Sequence, residues 1–193
     1  MSDIIRFNTF DQAFGTPSQA QKVIFKCSGY GLADLINNID NPVGLEIGCD
    51  IGDTTEFLLD SKKDLNLISI DPYENYVDWN GRPLNEREEV LRRMMERMKV
   101  FGDRFTLIRK TSDDAVDEFK ESQFDFIFID GLHTYEQLSK DCENYYKFLK
   151  PGGIFSGHDF TAIEGVNRAA NEFATKVDKK ILTTECDVWY WYK

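Results

Sequence analysis

Five short apolar runs recur along the chain: VGLEIG (Val43–Gly48), LNLISID (Leu65–Asp71), FTLIRK (Phe105–Lys110), FDFIFID (Phe124–Asp130) and GGIFSG (Gly152–Gly157). Each is rich in β-formers and is followed by a pattern of helical period. Near-continuous apolar runs belong to strands covered on both faces, so the alternation predicts an α/β fold with a doubly wound, mostly parallel sheet. The helical stripes are legible: Leu138, Cys142, Tyr145 and Leu149 share one face, as do Val90, Met94 and Met98 with Leu91 and Met95 beside them. Asp53-Thr-Thr-Glu56, Asn85-Glu-Arg-Glu88 and Thr134-Tyr-Glu-Gln137 each read as a helix start, a capping side chain set three residues before a Glu or Gln.

The two ends depart from the alternation. Residues 1–20 carry Gly15, Thr16, Pro17 and Ser18 and read as irregular, with a helix expected between Gln19 and Asn38. The predicted organisation is a helical extension over 1–40 and a main domain over 41–193. After a helix around Gly165–Lys176, the runs KILTTE and VWYWYK are separated only by Cys186 and Asp187. That gap is too short for a crossover helix, so the last strand must run antiparallel to its predecessor.

Composition narrows the function classes. The 193 residues suit one domain of ordinary size, 41% hydrophobic and with no internal repeat. A formal net charge of -11 repels phosphate backbones and anionic lipid. The best basic run, Arg92-Arg93 to Lys99, is interleaved with Met94, Met95, Glu96 and Met98 and reads as the solvated face of an amphipathic helix. Neither nucleic acid nor membrane is expected as a partner. Cys27, Cys49, Cys142 and Cys186 are far apart, so neither a zinc site nor a disulfide framework is expected. The opening MSDIIRFNTFDQ lacks the features of a signal peptide and no apolar run would span a bilayer, which predicts a soluble, cytoplasmic protein.

Ligand chemistry should gather at the carboxyl ends of the strands, near the topological switch point. LEIGCDIGDTTEF places Glu46, Gly48 and Gly52 between the first strand and its helix. The spacing is G-x-x-x-G, so both phosphate-cradling fingerprints are absent and a ligand without pyrophosphate fits better; a purely structural turn is the alternative. Asp71 ends the second strand, where a carboxylate can accept hydrogen bonds from a ribose diol, or can simply open a turn before Pro72.

EIGCDIGDTT, ISIDPY, FDFIFIDGLHTYEQLSKD, LKPGGIFSGHDF and GVNRAANEF together resemble a class I S-adenosylmethionine-dependent methyltransferase. The match is to the small-molecule O-methyltransferase-like group that includes macrolide-sugar methyltransferases, and it covers roughly Val43 to the end. The I-D-G-x-H-x-Y and P-G-G…H-D stretches are its most telling parts. The resemblance implies a Rossmann-like methyltransferase fold in which Glu46, Gly48 and Gly52 border the methionine moiety and Asp71 holds the ribose hydroxyls. Ser112 and Asp113 would lie beside the adenine, and Asp130 close to the methyl-transfer site. The sulfonium of the cofactor is cationic and its demethylated product neutral, so acids around the pocket favour the methyl donor.

The protein has two histidines. His133 follows the end of the fourth run and His158-Asp159 ends the fifth, so with Asp130 four groups suited to proton transfer or cation binding converge. Two mechanisms can use them. In one, Asp130 and Asp159, with His158, hold Mg²⁺ or, given the nitrogen ligand, Mn²⁺, and His133 is the base. In the other, no metal binds and His133 or His158 acts alone, the enzyme contributing mainly proximity.

The insertion PYENYVDWNGRPL, between Asp71 and Asn85, is longer than most connections and starts at the ligand end of the sheet. It either forms a lid with Tyr73, Tyr76 and Trp79 as stacking surfaces or packs its aromatics on the body. The first forty residues could cover the pocket or make a contact in a homo-oligomer. The resulting expectation is methylation of a hydroxyl on a small-molecule or sugar acceptor, with or without the aid of a divalent metal. Two alternatives stand beside it: an NAD(P)-dependent oxidoreductase, disfavoured by the missing third glycine and the antiparallel end, and a non-catalytic cofactor-binding member.

Overall fold

The computed structural model describes residues 29–184 and 186–193. The irregular stretch 1–20 and the beginning of the helix expected from Gln19 therefore lie outside the described residues. Its continuation over 29–36 is helical, with Leu32 and Ile36 fully buried against Leu58 and Leu59 of the main body.

Among the described residues seven strands form one sheet in the order β5-β2-β1-β6-β7-β9-β8. The five expected runs supply β1 (Val43–Ile47), β2 (Asn66–Ile70), β5 (Phe105–Ile108), β6 (Phe124–Ile129) and β7 (Leu149–Gly157), all paired in parallel. The antiparallel close is also present. β9 (Trp189–Tyr192) pairs antiparallel with both β7 and β8 (Leu182–Thr183), so the final strand slots inside and the short β8 takes the edge.

Helices cover both faces: α1 (Asp53–Ser61) and α2 (Arg87–Met98) on one, α4 (Tyr135–Tyr145) and α5 (Glu164–Lys176) on the other, with a short α3 (Ser112–Ala115) between β5 and β6. β6 is the central strand, and its alternation feeds both cores. Ile127 and Ile129 pack with Leu138, Cys142 and Tyr145 of α4, while Phe126 and Phe128 face Met94 and Met98 of α2. Phe124 joins the Ile127 face, next to a register shift between Phe124 and Phe126.

One of the three expected caps forms in half: Thr134 Oγ1 accepts from Gln137 N at 3.3 Å, while the Gln137 side chain turns to Ser112, Asp113 and Asp141 and Thr134 N donates to Leu132 O. At α1 the N-cap is Gly52 in the left-handed region, with no side-chain cap. At α2 the position falls to Glu86 at φ 57, and Asn75 rather than Asn85 accepts from Arg87 N at 3.3 Å. The basic run lies on α2 and just beyond it, with Arg92 and Arg93 paired to Glu89, Arg97 to Asp53 and Glu56, and Lys99 to Glu96. Cys186 is disulfide-bonded, which corrects the expectation drawn from the wide cysteine spacing. Pairing follows three-dimensional proximity, which spacing along the chain does not reveal. Cys49 and Cys142 are free and buried. Among the described residues no helix is long and apolar enough to cross a membrane.

Candidate active site at the carboxyl ends of the central strands

Each parallel strand ends just before its chemically loaded residue, and backbone hydrogen bonds continue the ladder one step further. Asp71 N donates to Ile108 O at 3.3 Å, Gly48 N to Ile70 O at 2.8 Å, Asp130 N to Ile47 O at 2.8 Å and His158 N to Ile129 O at 3.1 Å. Asp71, Gly48, Asp130 and His158 thus stand in a row along the top of the sheet. Between β1 and β6 the winding reverses, because the chain leaves β1 toward β2 and β5 and returns on its other side. A cavity of about 380 Å³ opens there, within the usual range for small-molecule sites, and its wall includes Glu46, Gly48, Asp130, His133, His158 and Asp159.

The glycine turn is built against protein backbone. Gly48 has φ +86, and a Cβ there would stand 2.3 Å from Asp130 O and 2.6 Å from Gly131 Cα. Only glycine lets the β1 and β6 loops approach this closely. Glu46, 1% exposed, accepts from Thr55 Oγ1 at 2.7 Å and Ser69 Oγ at 2.6 Å through one oxygen. Burial lifts its carboxyl to about 7, against the lowering effect of those two hydroxyls.

At the tips of β6 and β7 the acids and histidines interlock. His133 Nε2 lies 3.1 Å from Asp130 Oδ1 and 3.0 Å from Asp159 Oδ2. His158 Nδ1 lies 3.3 Å from Asp159 Oδ1 and 3.7 Å from Asp130 Oδ1. Asp159 reaches this position from a left-handed backbone at φ 57. Burial raises the Asp130 carboxyl, with His158 and His133 pulling it back. His158 Nε2 is 3.2 Å from Cys186 O; a carbonyl can only accept, so Nε2 carries a proton and Nδ1 is the nitrogen that faces the acids. The donor atoms of Asp130, His133 and Asp159 all lie within 4.8 Å of one another, a grouping suited to one metal ion. The sequence expectation had instead joined His158 to the two acids and set His133 apart.

Asp71 is 7% exposed and heavily engaged: Oδ2 accepts from Cys49 N at 3.3 Å and Asp50 N at 3.0 Å, and Oδ1 from Tyr73 N at 3.0 Å. Its carboxylate holds the glycine turn. Gly52, Asp71, Ser112 and Asp113 are not among the residues lining this cavity. Ser112 and Asp113 are tied to α4, where Gln137 Nε2 donates to Ser112 Oγ at 3.1 Å and Asp113 Oδ1 at 3.3 Å, and Tyr145 OH donates to Ser112 O at 2.6 Å.

The long insertion forms a hairpin, β3 (Tyr76–Val77) and β4 (Pro83–Leu84). Asp78 fixes its turn by accepting from Arg82 N at 2.8 Å and Asn80 N at 3.1 Å. Tyr76, Trp79, Arg82 and Leu84 line the cavity, as a lid would. Tyr73 does not: it is 2% exposed, and its OH donates to Asp50 O at 2.7 Å. Asp50 and Arg87 escaped the sequence reading. Asp50 had a signal in its place inside a glycine turn, whereas Arg87 lies within a stretch that reads as a helix cap.

Residues 45–160 match a family model described as a methyltransferase domain. The chain is 28% identical over 125 residues to protein R132 of Acanthamoeba polyphaga mimivirus, covering 63% of this chain and 52% of that protein. It is 32% identical over 72 residues to protein y4gI of Sinorhizobium fredii, covering 37% of this chain and 8% of that protein. It therefore spans about half of one relative and under a tenth of the other. Among solved structures it is similar to the SAH-bound methyltransferase PaMTH1 of Podospora anserina, with TM-score 0.62, 14% identity and 100% of both chains covered. It is also similar to an O-methyltransferase from Bacillus cereus in complex with SAH, with TM-score 0.60, 15% identity and 96% of both chains covered. At these identities the likeness establishes the fold, the Rossmann-like arrangement with an antiparallel end. The oxidoreductase alternative gains no support. With more than half of its length matched to the family model, including most of β1, the glycine turn and the His158-Asp159 tip, the chain belongs to the methyltransferase-domain family.

Proposed function

We propose that the protein transfers the methyl group of S-adenosylmethionine to a hydroxyl of a small-molecule or sugar acceptor, with assistance from a divalent cation. The observation that carries this reading is the convergence of Asp130, His133, His158 and Asp159 on the cavity that also contains the glycine turn of β1. Glu46 and the Gly48 turn would border the methionine end of the cofactor, which supplies an electrophilic methyl group when bound. Asp71 would act on the ribose side chiefly by holding the turn, since three of its hydrogen bonds already go to backbone N–H groups. Ser112 and Asp113 would border the adenine.

The donor set fits a divalent ion: two carboxylates and one imidazole with ligand atoms close enough to share it. The mixed oxygen and nitrogen set favours Mn²⁺ over Mg²⁺. In that arrangement Asp130, Asp159 and His133 hold the ion, which would polarise the acceptor hydroxyl when bound. His158, held by Nε2 on Cys186 O with Nδ1 toward the site, would take the hydroxyl proton on Nδ1 as oxygen attacks the methyl carbon and the methyl–sulfur bond breaks. Asp159 stabilises the imidazolium so formed. This reading exchanges the parts expected of the two histidines, and what supports the exchange is the position of His133 Nε2 between two carboxylates. An apolar ring acceptor suits the Tyr76 and Trp79 faces of the hairpin.

The test is thermal shift with S-adenosylmethionine, S-adenosylhomocysteine and NADPH, each with and without Mn²⁺ or Mg²⁺, followed by labelled-methyl transfer to a panel of hydroxylated acceptors. Stabilisation by both adenosyl compounds and label on oxygen are expected. Stabilisation by NADPH and by neither adenosyl compound would overturn the proposal.

A further inference from the structure

Arg87 lies in no position that the sequence or the proposed chemistry explains. It is 5% exposed, yet it opens α2 just behind the cavity. Its guanidinium pairs with Asp50 of the glycine turn, stands 3.8 Å from Asp71 Oδ1, and lies 5.4 Å and 5.8 Å from the ring centres of Tyr73 and Tyr76. Its backbone N donates to Asn75 Oδ1 at 3.3 Å. One side chain therefore touches the glycine turn, the tip of β2 and the hairpin.

Strain gathers at the same point. Asp50, Tyr73 and Glu86 have φ of 42, 50 and 57 without being glycine. Such a conformation is strained for a residue with a side chain and persists only where the surroundings fix it. Asp50 meets Arg87 through an ion pair, Tyr73 through its ring, and Glu86 by preceding it in the chain. Among the described residues Arg87 Nε has no hydrogen-bond partner, so charge and ring faces hold this side chain more than a filled set of hydrogen bonds does. Asp50 and Tyr76 are thus both held by one guanidinium.

Arg97, on the same helix, provides the comparison. It too grips the glycine turn and α1, donating to Ile51 O at 2.5 Å, Asp53 at 2.8 Å and Glu56 at 2.5 Å, but it makes no contact of this kind with the hairpin. Both arginines brace the turn, and only Arg87 also reaches the lid.

We propose that Arg87 is a positioning residue that joins the glycine turn and the β3–β4 hairpin into one unit, so that filling the cofactor side of the cavity draws the hairpin over its mouth. This rests on the S-adenosylmethionine reading above. The hairpin carries its own reporter: Trp79 is 50% exposed, whereas Trp189 and Trp191 are 0% and 2% exposed. Acrylamide quenching of tryptophan fluorescence therefore reads Trp79.

The experiment measures that quenching and the affinity for S-adenosylhomocysteine in the intact protein and in Arg87→Lys, Arg97→Lys and Asp50→Asn. In the unmodified protein, S-adenosylhomocysteine should lower Trp79 quenching at least twofold. Arg87→Lys should weaken binding about tenfold and abolish the quenching response at saturating ligand, while Arg97→Lys weakens binding but keeps the response. Asp50→Asn breaks the same ion pair from its exposed end, should repeat the Arg87→Lys result, and decides the matter if that variant does not fold. Unmodified protein that fails to bind S-adenosylhomocysteine would overturn the cofactor reading underneath. Binding with no change at Trp79, or an intact response in Arg87→Lys or Asp50→Asn, would overturn this proposal alone.

Discussion

His133 Nε2 lies 3.0 Å from Asp159 Oδ2, which joins the loop after β6 to the loop after β7 through one polar contact. The same nitrogen is 3.1 Å from Asp130, so two carboxylates share a single imidazole edge. Two like charges this close are relieved either by a proton, toward which burial already pushes Asp130, or by a metal ion.

The metal version predicts a measurable stabilisation. At a Mn²⁺ concentration of 100 Kd, binding to the native state adds about 2.7 kcal/mol, or about 5–10 °C in Tm for a chain of this size. Asp159→Asn and His133→Gln should each lose most of that shift, whereas His158→Gln should retain it and instead lose turnover by about 10²-fold or more. Thermal unfolding with and without Mn²⁺ checks the first part. A full shift in both Asp159→Asn and His133→Gln would remove them as ligands.

Gly48→Ala should be severe. The added methyl meets Asp130 O at 2.3 Å on a backbone with φ +86, so steric overlap adds to the left-handed penalty of about 1–2 kcal/mol. Gly81 provides the control, because it has nearly the same φ, +85, and among the described residues nothing lies within 4 Å of the position a Cβ would take. Gly81→Ala should therefore show the backbone penalty alone, and Gly48→Ala at least about 2 kcal/mol more. Urea unfolding of the two variants separates the effects; equal losses would mean that the β1 and β6 loops can part without cost.

The contrast shows which parts of the molecule the sequence makes legible. Strands and helix faces were readable because burial imposes a period on the side chains, and the row Gly48, Asp71, Asp130, His158 followed from strand ends alone. Three features were hidden, each because it depends on a partner remote in the chain. Asp71 accepts from backbone N–H groups of the glycine turn, Arg87 looks like part of a helix start until Asp50 and Tyr76 are placed around it, and of the two histidines expected to converge with Asp130 and Asp159 it is His133 whose Nε2 lies between both acids. For Tyr73 the sequence allows both a lid aromatic and a ring packed on the body, for the same reason: composition cannot tell a ring facing the cavity from one buried under the turn.

The three apparent capping signals provide a compact test of that distinction. Thr134→Ala removes a side-chain acceptor from Gln137 N and should reduce stability by about 1 kcal/mol. Asn85→Ala should change it by less than about 0.5 kcal/mol, because the α2 start is served by Asn75. Chemical denaturation of both variants is sufficient, and an equal loss would show that Asn85 caps in solution.

Glu46 links the pH dependence of stability to that of cofactor preference. Its folded carboxyl stands at about 7 against an ordinary 4.5, so the native state binds the proton more tightly than the unfolded chain does. Stability is then greatest below about pH 4.5 as far as this group is concerned, falls as pH rises, and has lost about 3 kcal/mol once pH passes about 7. Glu46→Gln keeps an oxygen to accept from Thr55 and Ser69 but does not titrate, so its stability should be flatter across that window and exceed that of the unmodified protein at pH 8. The same ionisation places a negative charge on the cavity wall, where it would attract a sulfonium and leave a neutral thioether unaffected. The affinity ratio of S-adenosylmethionine to S-adenosylhomocysteine should therefore rise severalfold between pH 6 and pH 8 in the unmodified protein and stay level in Glu46→Gln. Calorimetry at both pH values gives the ratio. A stability profile that flattens in Glu46→Gln while the ratio still rises would locate the discriminating charge elsewhere, with Asp130 the next carboxylate to replace.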